Sequence, residues 1–307
     1  MSHDILDWIA REVGARAARR RERIQSLWGG VGELFRIELE DGPIDTAIVK
    51  WAQPPVGVDD VSTRRKKMSF AVEVAFYRSF ARRCDDSCRV ANLLAARISE
   101  EDAVLVLEDL DAAGYPRRTD EADDGQLDAA LAWLASFHAR FVGERPGQLW
   151  PTGTYWHLDT RLDELAVIED RALREAAPAI AYKLSSARFQ TIVHGDPKEA
   201  NFCFGPAGIA AVDFQYTGRA CGMTDLAYLL YGRADEPADG IDHVRIATYF
   251  AHLRARLPAT VDGDALEAEW RALYAYARLD FCRFLAGWRP AMWERDTRGR
   301  RFVQHNL

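Results

Sequence analysis

The chain has 307 residues, of which 48% are apolar and 28% charged, an ordinary globular composition long enough for two lobes or one large domain. Its net charge of −7 argues against nucleic acid as the main partner. No run approaches the ~18 consecutive apolar residues of a membrane span, and the opening "MSHDILDWIAREVG" lacks a signal-peptide core, so a cytoplasmic protein without membrane association is expected.

Taken in chain order, Asp4 to about Arg23 reads as a helix, with the basic run "RAARRRERI" as its exposed face or end. The pieces "ELFRIEL" and "TAIVKWA" read as strands joined by a turn at "EDGP", and Gly29, Gly30 and Gly32 precede the first of them. After the loop "QPPVGVDDVS", the segment "KKMSFAVEVAFYRSFARRC" reads as a helix, because Phe70, Val74, Tyr77 and Phe80 recur at helical spacing. Two short strands follow around a turn at "SEED", the second being the buried run "AVLVLEDL".

Beyond residue 110 the pattern turns helical. "GQLDAALAWLASFHARFVGE" carries one apolar face, "DTRLDELAVIEDRALREAAPAIAYKLSSA" continues it, and from about Gly222 onward the chain is mostly helix. The expected fold is therefore α+β, with a β-rich first part and a helical remainder. The five cysteines, Cys84, Cys88, Cys203, Cys221 and Cys282, are irregularly spaced and read as reduced, mostly buried thiols. Residues 194–270 carry 12 acidic and 6 basic side chains, including the run "ADEPADGID". Such a run reads first as solvated loop and second as attraction for a cationic ligand.

Between the two halves lies "VHGDPKEANFCF", followed by "IAAVDFQ". Asn201 and Asp213 offer the oxygen ligands a hard cation such as Mg²⁺ prefers. Asp196 is suited to orient or deprotonate an acceptor hydroxyl, and Lys198 is a point charge for a transferring phosphoryl group. Phosphoryl transfer needs such parts because its catalysis is mostly positioning and charge stabilisation. Of the neighbouring residues, His194 reads as a structural support of the loop, Asp225 as a cap of the helix "MTDLAYLL" that also braces the loop, and His138 as a packed helix residue. Trp156, Trp270, Tyr274, Phe281 and Trp288 are candidates for an acceptor pocket, although aromatics at helical spacing belong first to a core.

"HGDPKEAN" parallels the protein-kinase catalytic loop H-R-D-x-x-x-x-N, and "VDFQ" stands where D-F-G would. The form resembles the aminoglycoside phosphotransferase and choline kinase superfamily, and in "HGD-x-K-x-x-NF-x-F … VDFQ … G-x-x-D-L-A" most of all its ecdysteroid kinase-like branch. The resemblance runs from about Gly29 to Trp288. It implies a two-lobed, protein-kinase-like fold with a nucleotide-binding lobe over 1–108 and a catalytic and acceptor-binding lobe over 109–307. It implies ATP and Mg²⁺ as cofactors. Lys50 would hold the ATP phosphates and Glu73 would orient it. Gly30 and Gly32 would belong to a phosphate-covering loop, and Leu107, Glu108 and Asp109 would meet the adenine through their backbone. Asp196 and Lys198 would be catalytic, Asn201 and Asp213 metal ligands.

The departures from protein kinases are informative. Gly195 replaces the arginine that reads a phosphorylated activation loop, Gln215 replaces the last D-F-G glycine, and only eleven residues separate Asp213 from Asp225. That leaves little room for an activation segment or a peptide platform. The expected activity is phosphorylation of a small hydroxylated acceptor, cationic or partly apolar, with no obligatory protein partner. An aminoglycoside-type antibiotic phosphotransferase is the alternative within enzymes, and a catalytically silent nucleotide-binding protein the alternative outside them.

Overall fold

The computed structural model describes residues 3–27, 30–55, 57–58, 60–237 and 239–307; Gly29, and Ala238 in the acidic run, lie outside them. The chain forms two compact units that are not consecutive in sequence: Met1–Arg118 with Phe202–Gln215, and Thr119–Asn201 with Tyr216–Leu307.

The first unit is built on a five-stranded antiparallel sheet of order β1-β2-β3-β6-β5. Its strands are β1 (Ala17–Ser26), β2 (Gly32–Glu40), β3 (Thr46–Ala52), β5 (Leu93–Ile98) and β6 (Ala103–Glu108). Side chains alternate across each strand. Phe35, Ile37, Val49, Val104 and Val106 fall on one face and pack with Ile5 and Ile9 of helix α1 (His3–Val13). Leu34, Ala52 and Ala103 fall on the other and meet Phe70 of helix α2 (Val61–Ser79). A small sheet, β4 (Arg89–Val90), β9 (Gly208–Ala211) and β8 (Phe202–Gly205), completes this unit.

The helix expected over residues 4–23 is a correction: α1 stops at Val13, and the basic run is strand β1. Gly14 adopts φ +78, and Ala15 N–H donates to the Ala10 carbonyl at 2.8 Å, a glycine stop that ends the helix. Arginines of the run pair across strands, Arg20 with Glu33 and Arg19 with Glu40, and Glu22 of the same strand pairs with Arg36 of β2. A charged β1 also keeps this sheet edge from pairing with other chains.

The second unit is helical. Its members are α3 (Asp124–Phe141), α4 (Leu162–Ala166), α5 (Arg171–Ser185), α6 (Met223–Leu229), α7 (His243–Arg254), α8 (Gly263–Trp288), α9 (Pro290–Trp293) and α10 (Thr297–Asn306). The long helix α8 touches α4, α5, α6, α9 and α10, so it is the spine of the unit. Trp156, Trp270, Tyr274 and Phe281, considered above for an acceptor pocket, lie in its buried core. A two-stranded ladder, β7 (Thr191–Val193) with β10 (Gly218–Ala220), carries the loop that begins at His194. Among the described residues, no helix is long and apolar enough to cross a membrane. All five cysteines are free thiols, Cys84 half-buried and the others buried.

Candidate active site

The candidate residues fall into two clusters, one in each unit. In the first unit, β3 places Lys50 on the sheet face opposite Val49, the face covered by α2. There Lys50 Nζ lies 3.0 Å from Glu73 Oε1 and 2.8 Å from Asp213 Oδ1. A buried lysine loses hydration, which disfavours its charge. Here the two carboxylates outweigh that burial and hold the ammonium above its ordinary range. One cation does not neutralise two anions equally. Burial, reinforced by Asp213 and opposed by Lys50, pushes the Glu73 carboxyl up to about 7.

Asp213 is held there by its neighbour. The Phe214 ring stacks on Phe76 of α2 at 3.9 Å and meets Tyr77 edge-on at 5.8 Å. Asp213 itself adopts φ +71, a left-handed conformation costly for a non-glycine residue.

The remaining first-unit candidates present backbone. Gly32 opens β2 so close to β3 that an added Cβ would stand 2.1 Å from the Trp51 carbonyl oxygen, and Gly30 adopts φ +69 in the turn before it. Leu107 is buried in β6. The Glu108 carboxylate accepts from Arg89 at 2.6 Å, and its N–H donates to the Asn92 carbonyl at 2.9 Å. The Asp109 carboxylate accepts from Arg36 at 2.6 Å and Thr46 at 2.9 Å. These bonds overcome the burial that opposes its ionisation and hold its carboxyl below the usual range. Both acidic side chains are therefore engaged in the fold.

In the second unit, the loop after β7 is tied down at every turn. The Asp225 carboxylate accepts from the N–H groups of His194 at 2.7 Å and Gly195 at 3.0 Å, and from His138 Nε2 at 3.1 Å. Asp225 braces the loop without capping its helix, whose N-cap is Gly222 with no side-chain cap bond. His194 Nδ1 accepts from the Asp196 N–H at 3.3 Å. Gly195 adopts φ +85, and a Cβ there would stand 2.1 Å from the Tyr216 carbonyl oxygen. Only glycine fits this corner, directly before Asp196.

Asn201 Nδ2 donates to the Asp196 carbonyl at 2.7 Å and to its carboxylate at 3.2 Å. Lys198 Nζ stands 3.3 Å from the same carboxylate. Asp196, Lys198 and Asn201 thus form one constellation. Asn201 keeps its amide oxygen, the atom a hard cation takes, out of these two bonds. The pattern reading missed two tyrosines. Tyr155, whose N–H donates to the Gly195 carbonyl at 3.1 Å, meets Tyr228 of α6 edge-on at 5.7 Å. Burial first, and then the Asp196 charge, raise both phenols above their usual range. Tyr228 follows Asp225 by three residues, one helical turn, so the helix that braces the loop also carries this phenol.

The family model described as "Phosphotransferase enzyme family" matches residues 58–259, more than half of the chain. Among solved structures, an amicoumacin kinase in complex with AMP-PNP, Ca²⁺ and Ami gives a TM-score of 0.58 at 17% identity, covering 92% of this chain and 88% of that one. A choline kinase from Cryptosporidium parvum gives 0.60 at 11% identity, covering 98% and 94%. A microcompartment-associated aminopropanol kinase gives 0.53 at 14% identity, covering 99% and 98%. At such identities the likeness is one of fold. No curated protein matches the sequence.

Proposed function

The chain belongs to the phosphotransferase enzyme family, and from that premise we propose that it transfers the γ-phosphoryl group of ATP to a hydroxyl of a small organic acceptor. The observation that carries the reading is the constellation in which Asn201 and Lys198 both contact the carboxylate of Asp196. Asp196 orients the acceptor hydroxyl and takes its proton as the phosphoryl group departs from ATP. Lys198, already beside that carboxylate, offsets negative charge on the moving group. Lys50, kept charged by its carboxylate partners, binds the ATP phosphates, and Glu73 holds it in place. Gly30 and Gly32 give the backbone close approach to the nucleotide, and the chain at Leu107–Asp109 meets the adenine.

The donor set suits magnesium: a carboxylate at Asp213 and an amide oxygen at Asn201 are hard ligands, and Mg²⁺ takes few protein oxygens. Bound there, the ion would supply charge neutralisation on the phosphates. The kinases named above act on small molecules, which supports a small acceptor here. A cytoplasmic setting agrees with the free thiols.

The test is ADP release from MgATP across a panel of small alcohols, run on the wild type, Asp196→Asn and Asp213→Ala. Loss of the general base should lower kcat by about 10²–10⁴-fold with the fold retained. Full activity in Asp196→Asn would remove Asp196 from the reaction. MgATP binding with no turnover on any alcohol would instead support a silent nucleotide-binding protein.

A further inference from the structure

The surroundings of Asp196 also bear on the acceptor. Beside Asp196, the Tyr155 N–H donates to the Gly195 carbonyl at 3.1 Å, and Tyr155 with Tyr228, 5.7 Å away, begins a larger aromatic group. Around Tyr155, the ring of Phe284 stands at 5.1 Å, Tyr216 at 5.7 Å and Trp288 at 6.4 Å. Tyr155, Tyr216 and Tyr228 are half-buried and Trp288 is 37% exposed, so the group opens to solvent.

Aromatic faces attract cations, but these already hold them. The Arg161 guanidinium lies 5.1 Å from the Phe284 centroid and 5.8 Å from that of Tyr155, and Arg161 Nε donates to the Tyr155 carbonyl at 2.7 Å. Arg289 stacks on Trp288 at 4.1 Å. Arg283 is fully buried behind Trp156, donating to its carbonyl at 2.6 Å, and its Nη1 has no hydrogen-bond partner.

The nearby acids are consumed. Glu164 pairs with Arg161 at 2.9 Å and Asp280 with Arg283 at 2.9 Å. Asp196 pairs with Lys198 at 3.3 Å, and among the described residues no carboxylate pairs with Arg289, so three guanidiniums and one ammonium face three acids. The acidic run 234–242 does not redress this. Asp235 and Asp242 pair with Arg245 at 2.6 and 2.8 Å, and Glu236 pairs with Arg278.

We propose that the acceptor is an alcohol with an apolar or aromatic body and no cationic group, held by the rings around Tyr155 with its hydroxyl at Asp196. The proposal rests on the phosphotransfer reading for the role of Asp196, but its chemistry is separate. Choline and aminopropanol, the acceptors in the names of two structural neighbours, carry a cationic nitrogen. Such a group would meet Arg161 and Arg289 here instead of an open ring face or an unpaired carboxylate.

The experiment uses three arylalkyl alcohols matched in size: one neutral, one bearing a trimethylammonium group and one a carboxylate. Binding to the full chain is measured by saturation-transfer NMR, and ADP release with MgATP is measured in parallel. The neutral alcohol should bind at least about tenfold more tightly than its ammonium analogue. Arg289→Glu, a change on an exposed side chain, should narrow that gap. Equal or tighter binding of the ammonium compound, or no binding of the neutral one, overturns the proposal. Preferential binding of the neutral alcohol without ADP release sinks the transfer reading and leaves the acceptor chemistry standing. Fastest ADP release with the ammonium alcohol does the reverse.

Discussion

At the scale of single residues, the two clusters rest on different kinds of constraint, and each is testable by one atom's change. Gly195 is a backbone constraint. Its φ of +85 alone would cost an L-residue on the order of 1–3 kcal/mol. The carbonyl of Tyr216, 2.1 Å from an added Cβ, forbids relief without moving the loop. Gly195→Ala is therefore expected to lower the denaturant midpoint and to lower kcat more than KM for ATP, because the displaced residue is its neighbour Asp196. Unchanged kcat would mean that the loop tolerates the shift. Glu73 is a charge constraint. Its carboxyl is raised to about 7 from an ordinary 4.5, first by burial and then by Asp213 against the pull of Lys50. Between those values the folded protein keeps a proton there that the unfolded chain has shed. The contribution of this group to stability therefore falls as pH rises through that window. Glu73→Gln, which cannot titrate, should flatten the decline in Tm between pH 5 and 7.5 relative to the wild type. An identical slope in both proteins would assign the pH dependence to other groups.

At the scale of elements, what could be read from sequence was whatever repeats locally. Strands β2, β3, β5 and β6 and helices α2, α3 and α8 carry regular apolar spacing over several residues, and each forms where its pattern lies. The end of α1 was missed because one residue decides it. Gly14 stops the helix, and a run of arginines that would serve equally well on a helix face pairs instead with the glutamates of β2. The support of the loop that begins at His194 was half visible. Asp225 was expected to brace it and does so, whereas the second brace comes from elements far apart in sequence. Glu199, between Lys198 and Asn201, pairs with Arg233, whose Nη2 also donates to the Ala122 carbonyl at 3.1 Å. The Arg233 carbonyl in turn accepts from Arg298 of α10 at 2.9 Å. Helix α10 thus holds the loop after α6, and that loop holds the one that begins at His194. Arg233→Met should destabilise the protein by about 1–3 kcal/mol, the usual effect of leaving a half-buried acid without its partner, and should reduce kcat. A double variant with Glu199→Gln should recover part of the stability, because no charge is then stranded. A double variant no more stable than Arg233→Met would place the role of Arg233 elsewhere.

At the scale of the whole molecule, the sequence showed a β-rich first part and a helical remainder, and the fold follows that division with one return: the hairpin β8–β9 and its loop to Gln215 belong to the first unit. This return brings Asp213 to Lys50, 163 residues away in the chain. No local periodicity encodes such a contact, and the sequence reading, which paired Lys50 with Glu73 alone, did not name it. The acidic balance of the chain was legible as a number but not as a field, since arginines such as Arg245 and Arg278 pair with most of the run at 234–242. Net charge therefore says little about which ligand is drawn in, while ligand linkage gives a direct global readout. A nucleotide that binds only the folded chain adds about 2.7 kcal/mol of stability at 100 times its dissociation constant. For a protein of this size that is a rise in Tm of about 5 °C. MgATP should produce it in the wild type, and ATP with a chelator should produce less, because the phosphates then lack the charge neutralisation that a bound metal would supply. Asp213→Ala should abolish the difference between the two conditions while keeping part of the shift due to ATP alone. A wild type indifferent to magnesium would remove Asp213 and Asn201 from metal binding, and one indifferent to ATP would leave the Lys50 cluster as a purely structural ion pair.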